Sequence, residues 1–156
     1  MKTLNWRFLL TLTVCTLLPV LVAHAKNKVT RQLKMQADTQ QVWQLDANGA
    51  PVGLISAGGW GVSTHCGLFY TAESDTVPAP EGYMGAFMTS ANGDQIFCVC
   101  PVGNPLDATI TGGTGRFSEA TGKYTITIVS QNVSVDPATG IMTLSFSWTA
   151  AGTITY

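Results

Sequence analysis

The sequence predicts an all-β domain, an antiparallel sandwich or closed barrel, on three observations. From Val29 onward no long segment repeats its apolar residues every 3.6 positions, as an amphipathic helix would. Alternation takes its place. In MTLSFSWTA, Met142, Leu144, Phe146 and Trp148 share one face and Thr143, Ser145, Ser147 and Thr149 the other, as in a half-buried strand. Turn signals punctuate the apolar runs at Asn48-Gly49, at Asn92-Gly93 and from Asp136-Pro137 to Gly140. Many short strands joined by such turns bury their apolar faces in a sandwich or barrel.

The first 25 residues read as an export signal. Lys2 and Arg7 precede the apolar run FLLTLTVCTLLPVLV, and Ala23-His24-Ala25 supplies the small residues of a cleavage site. The run is short for a bilayer span and Pro19 interrupts it, so cleavage after Ala25 is expected rather than anchoring, with no transmembrane segment left afterwards. The expected location is the periplasm or the exterior. Residues 26–156 then form a single domain, since no linker or change of composition divides them. Of the basic residues kept, Lys26, Lys28, Arg31 and Lys34 crowd the new N-terminus, and only Arg116 and Lys123 follow. Nucleic-acid binding needs clustered cations on a folded face, so that class is excluded.

Along the domain the expected strands are 29–36, 40–46, 52–56, 62–70, 83–90, 95–102, 107–111, 123–130, 132–136, 141–149 and 152–156. β-branched and aromatic residues fill them; in KYTITIVS, Tyr124, Ile126 and Ile128 oppose Thr125 and Thr127. A two-residue turn at Asn92-Gly93 would pair Ser90 with Gln95, Phe87 with Cys98 and Gly85 with Cys100. Both faces of hairpin 83–102 are apolar: Tyr83, Phe87, Ile96, Cys98 and Cys100 on one, Met84, Ala86, Met88, Phe97 and Val99 on the other. One face should fill a lumen, while the other meets a covering segment, a ligand or a second subunit, which allows a homo-oligomer.

The stretch ITGGTGRFSEATGKYT, residues 110–125, suggests a phosphate cradle and fails as one. A P-loop requires Gly-Lys-Ser/Thr, but Tyr124 follows Gly122-Lys123; a dinucleotide loop requires a third glycine where Ser118 stands. A strand pattern follows, so no helix N-terminus is available to hold an anion. The structural reading is a loop in which Gly112, Gly113 and Gly115 permit tight or left-handed backbone. Phe117 would tuck beneath it, Thr114 and Thr121 would satisfy backbone groups, and Arg116 would pair with Glu119 on the surface.

The same stretch resembles the signature loop of the allene oxide cyclase-like and dirigent-like barrel family, in particular its small exported bacterial members. STHCGLF (63–69) and SANGDQIF (90–97) resemble that family's Thr-His-Leu-Gly strand and Ala-Asn-Gly-Asp hairpin in order and spacing. The resemblance implies a single eight-stranded antiparallel, calycin-type barrel. Cys66, Leu68 and Ser118-Glu119 depart from the bacterial pattern. The catalytic residues of the plant enzymes fall outside the matched segments, so the resemblance carries none of them here.

Cys66, Cys98 and Cys100 survive cleavage. With Cys66 on the preceding strand of a meander it would stand two strands from the others, roughly 9.5 Å away and beyond disulfide reach. Buried thiols are therefore expected; the alternative is a Cu(I)-type site made by all three. No cofactor is expected. His65 suggests a general base, but a hydrogen-bonded structural role suits a strand histidine beside Thr64 better. Glu73, Asp75 and Glu81 read as a solvated acidic loop, and Trp43, Trp60 and Trp148 as lumen or core.

The functional expectation is non-catalytic: an exported barrel that holds an apolar or aromatic small molecule, or meets an envelope partner. His65, Phe87 and Trp148 are the expected ligand contacts. A cyclase or isomerase steering a reactive intermediate is the rival and needs an ionisable group in the lumen. A purely structural domain is the third reading, and it needs a filled lumen.

Overall fold

The computed structural model describes residues 28–73, 77–104 and 106–156; the expected export segment 1–25 and its expected cleavage site lie outside the described residues. Among the described residues eight strands follow one another around a closed antiparallel barrel. They are β1 (Thr30–Leu45), β2 (Pro51–Ser63), β3 (Gly67–Glu73), β4 (Tyr83–Ser90), β5 (Gln95–Pro101), β6 (Asp107–Gly113), β7 (Thr121–Asp136) and β8 (Ile141–Thr155). β1 closes the ring by pairing with β8 from Thr30↔Thr155 to Gln44↔Ile141. No helix among the described residues is long and apolar enough to cross a membrane.

The eleven expected strands become eight, for local reasons. Segments 29–36 and 40–46 join into β1 because its inward positions change from Leu33, Met35 and Ala37 to Thr39 and Gln41, which blurs the apolar alternation. Segments 123–130 and 132–136 join into β7 through a bulge between Ile128 and Ser130, where the face occupied by alternate residues switches. Segments 141–149 and 152–156 join into β8 across Ala150-Ala151-Gly152. There a Cβ on Gly152 would collide with the Lys123 carbonyl, so the close approach of β7 leaves room for no side chain. Segment 62–70 instead divides at a turn over Thr64–Cys66, completed by Gly67 at φ +64°. Cys66 therefore lies in the β2–β3 turn and not on a strand.

The β4–β5 hairpin corrects the expected register. Ser90 N–H donates to the Asp94 carbonyl and Gly93 N–H to the Ser90 carbonyl, so three residues, not two, make the connection. Gly93 supplies the left-handed position at φ +87°. Every pairing shifts by one: Ala86 faces Cys98, Met84 faces Cys100 and Met88 faces Ile96. The inner face accordingly combines Met84, Ala86 and Met88 with Ile96, Cys98 and Cys100, while Phe87 and Phe97 turn outward together.

The strands are unequal. β3 to β6 have seven or eight residues, whereas β1, β2, β7 and β8 have 13 to 16. The four long strands are neighbours, and their surplus extends as one sheet beyond the end formed by the close of β3 and β5. Side chains fill the opposite end. Leu33, Phe69, Ile96, Cys98, Ile110, Phe117 and Ile154 are buried there, at most 2% exposed, in one cluster.

The glycine stretch seals that filled end. After β6 the chain makes a short 3-10 turn at Gly115–Phe117 and drives the Phe117 ring against Tyr156, centroids 5.0 Å apart. Gly115 needs its left-handed φ of +54°; Gly113 does not, and is a glycine because a Cβ would strike the Gln95 carbonyl. Thr114 N–H donates to Gln95 O and Gln95 N–H to Thr114 Oγ1, each at 2.9 Å. The expected Arg116–Glu119 pair does not form. Arg116 Nε lies 3.5 Å from Asp94 Oδ2 and its Nη2 donates to the His65 carbonyl at 2.8 Å, while Glu119 meets Lys28. One guanidinium thus ties the loop to two turns.

Candidate functional site: the barrel lumen

Above the filled end the same inward positions line a cavity of about 300 Å³. It is bounded by the ends of β3 and β5, the start of β4 and the middles of β1, β7 and β8. Met84, Met88, Ile126, Ile128, Phe146 and Trp148 make most of the wall, and Thr39, Gln41, Thr71, Glu73, Cys100 and Tyr124 add polar atoms. The apolar wall continues past the cavity along the projecting sheet. On β8, Leu144 and Met142 follow Phe146 on the same face. Trp43 and Val135 flank Met142, and Val133 pairs with Leu144.

Two polar constellations face this space. At the mouth, Gln41 Nε2 donates to Glu73 Oε1 at 2.6 Å, and Trp43 Nε1 donates to Gln41 Oε1 at 3.3 Å. Glu73 is the last residue of β3, and its pairing with Ala86 brings it over the cavity. Deeper in, the Tyr124 hydroxyl donates to Cys98 Sγ at 3.1 Å, and Cys98 Sγ lies 3.5 Å from the Ala86 carbonyl. Burial, reinforced by the neighbouring thiols, pushes the Tyr124 phenol well above its ordinary range, so it stays a proton donor. A hydrogen bond toward Cys100, and then burial, raise Cys98; the same bond holds Cys100 below the ordinary thiol range against burial and the Glu73 carboxylate. Cys100 is therefore the more acidic thiol, and it is the one that lines the cavity.

The expected contacts separate. Trp148 lines the cavity, its Nε1 donating to Thr39 Oγ1 at 3.1 Å. Phe87 stands on the outer face beside Tyr70, ring centroids 6.5 Å apart. His65 sits in the turn at the filled end: Nε2 donates to the Gln32 carbonyl at 2.8 Å and Nδ1 accepts from Tyr156 Oη at 3.2 Å. That pair of bonds fixes its tautomer and leaves neither nitrogen for a substrate. Trp60 points outward and is 61% exposed. Cys66, Cys98 and Cys100 are free thiols, and among the described residues no three His, Cys, Asp or Glu side chains converge as metal ligands would. Asp75 lies outside the described residues, and Glu81 is exposed.

Glu73, Gln41 and Tyr124 line the cavity, and none of them is among the ligand contacts expected from the sequence. Glu73 was grouped with an acidic loop because Ser74 and Asp75 follow it. The usable signal was its parity: counting by two from the buried Phe69 through Thr71 reaches Glu73 on the inner face.

No protein-family model and no curated protein matches the chain. Among solved structures it is similar to the pterocarpan synthase dirigent protein GePTS1, at 16% identity and a TM-score of 0.37, over 78% of this chain and 85% of that one.

Proposed function

We propose that the protein is an exported binding barrel whose lumen takes an elongated apolar or aromatic small molecule, with one polar group of the guest at the mouth. The observation that carries this reading is the unbroken apolar wall from Trp148 and Phe146 inside the cavity to Leu144, Met142 and Trp43 on the projecting sheet. A cavity of about 300 Å³ is at the small end of ligand sites. A longer guest would lie partly along the sheet, with its polar end beside Gln41 and Glu73. Covering about 150 Å² of apolar guest surface contributes roughly 4 kcal/mol before ordering costs, so micromolar to millimolar affinities are expected. Export rests on the features of residues 1–25.

Binding is preferred to catalysis because the carboxylate and the phenol of the lumen are already engaged inside the protein, Glu73 by Gln41 and Tyr124 by Cys98. The test incubates the protein with fatty acids, terpenoids and phenolics, following retention by native mass spectrometry and product formation in parallel. Retention of an unchanged guest, lost when Ala86→Trp fills the cavity, is the expected result. Turnover that disappears in Glu73→Gln would make the protein a cyclase- or isomerase-type enzyme instead. Absence of both would leave a structural role.

A further inference from the structure

The outer wall carries a second site, unrelated to the lumen. Register places Trp60, Asp38, Ser147 and Ser130 in one row across β2, β1, β8 and β7. Two residues further toward the mouth, Gly58, Gln40, Ser145 and Asn132 make a second row. Together the rows form the floor and sides of a groove of about 620 Å³ on the outside of the barrel. Its aromatic wall is built. Tyr70 lies 5.1 Å from Trp60, centroid to centroid, and its hydroxyl occupies the place where a Cβ on Gly58 would be. The absence of a side chain at Gly58 therefore lets Tyr70 lie against the strand, with Trp60 standing beside it and 61% exposed.

The chemistry of this groove is specific. Its lining includes one charged group, the Asp38 carboxylate, which accepts a hydrogen bond from Ser147, and no Lys or Arg. That disfavours phosphate, sulfate or nucleic acid as the ligand. Gln40 and Asn132 offer paired amide donors and acceptors, and Ser56, Ser130 and Ser145 offer hydroxyls. A protein partner would require a desolvated apolar centre, which a floor of amides and hydroxyls does not give. What matches it is a ligand with an apolar C–H face to stack on an indole and an edge of vicinal hydroxyls to exchange hydrogen bonds with carboxylate and amides. We propose that the groove is a binding site for a neutral oligosaccharide. Adjacent strands stand about 4.8 Å apart, comparable with the repeat of an extended sugar chain, so successive rings would meet successive strands of the two rows. Each row crosses four successive strands in register, from Trp60 to Ser130 and from Gly58 to Asn132, which favours an extended β-linked chain over a coiled α-linked one.

The test titrates the folded protein with cellohexaose, chitohexaose and maltohexaose at millimolar concentrations. Tryptophan emission and affinity electrophoresis are the readouts. Cellohexaose or chitohexaose is expected to shift the emission and maltohexaose to do so less. Trp60→Ala should weaken binding by about tenfold or more, while Trp60→Phe keeps part of it and Asp38→Asn loses part. Because Trp60 is exposed, these variants should melt like the wild type, which a melting curve checks. Ala86→Trp, which fills the lumen, should leave sugar binding unchanged. The proposal is overturned if none of the three sugars binds, if binding survives Trp60→Ala, if it is lost in Ala86→Trp, or if sedimentation shows Trp60 buried in a dimer of this chain.

Discussion

At the filled end of the barrel Leu33, Phe69, Ile96, Ile110 and Ile154 converge on Phe117 and are all but inaccessible. At the mouth the same strands turn Thr39, Gln41, Glu73, Phe146 and Trp148 toward a cavity. The difference is not one of hydrogen bonding along the long strands, since the β1–β8 and β7–β8 ladders continue through both ends. It comes from what closes the ring. The filled end has a loop folded across it, held by Arg116 and capped by one aromatic ring. The mouth has four strands that run on without their neighbours. Stability and binding space are thus divided along the barrel axis, and substitutions at the two ends should behave differently.

The largest effect should come from Phe117→Ala. Removing a wholly buried ring from the plug deletes its contacts and leaves a void that the glycine loop cannot collapse into, a loss of about 3–5 kcal/mol in chemical unfolding. Phe146→Ala removes the same side chain from the half-buried cavity wall and should cost about 1 kcal/mol, while releasing the guest. Equal losses at the two positions would show that the lumen is packed in solution and would remove the basis of the binding reading.

Glycines give a second contrast, smaller in size. Gly113→Val places a branched side chain against the Gln95 carbonyl and the Phe117 backbone, and should cost about 1–3 kcal/mol. Gly49, in the β1–β2 turn at the mouth, has φ +83° and nothing within 4 Å of a Cβ. Gly49→Ala should therefore cost only its backbone strain, about 1 kcal/mol. If Gly113→Val melted like the wild type, the loop could not be seated as tightly against β5 as these contacts require.

Much of this division was legible in the sequence, and the remainder was hidden for identifiable reasons. The strand pattern, the turn glycines and the burial of Phe117 follow from alternation and local backbone chemistry. Register does not. A three-residue turn and a two-residue turn share the Asn92-Gly93 signal, and the choice between them decides whether Phe87 or Ala86 faces the lumen. The lumen itself was obscured because a binding wall interrupts the apolar alternation: Thr39, Gln41 and Glu73 are inward, polar and half-buried. A search for core residues passes over them. Arg116 was assigned to its nearest acid in sequence, whereas the fold brings Asp94 from another turn.

The thiols report on the boundary between the two regions. Cys98 points into the filled part and Cys100, two residues on, reaches the cavity. Iodoacetamide added to the native protein should alkylate Cys100 first, and at a lower pH than an ordinary thiol, because the Cys98 hydrogen bond favours its thiolate. Cys66 and Cys98, both raised and neither lining the cavity, should react only as the protein opens. Peptide mapping of partly alkylated protein measures the order, and early labelling of Cys66 or Cys98 would place the boundary elsewhere.

The smallest effect belongs to the two outermost turns of the mouth, which carry the ends of the projecting sheet. In the β1–β2 turn, Asp46 Oδ1 accepts the backbone N–H groups of Ala50 and Asn48, each at 2.8 Å. In the β7–β8 turn, Asp136 accepts the Thr139 hydroxyl at 2.8 Å and the Ala138 N–H at 2.9 Å. These bonds, from Ala50 first at Asp46 and from Thr139 first at Asp136, hold both carboxyls below the ordinary 3.8. A depressed folded pKa means that the unfolded chain takes up protons first as pH falls. The stabilisation is complete above the unfolded value of 3.8 and disappears as pH drops through the lower folded values. The double variant Asp46→Asn, Asp136→Asn keeps an acceptor oxygen in each turn but no charge. It should melt slightly below the wild type at neutral pH, and the gap should close in acid as pH drops through the lowered folded values and the wild-type carboxyls become neutral too. Both groups are fully exposed, so added salt should also narrow the gap at neutral pH. A gap that stayed constant from neutral pH into acid would mean that the turns depend on carboxylate shape and not on charge. The extended sheet would then keep its ends paired in acid, when its carboxylates no longer hold them.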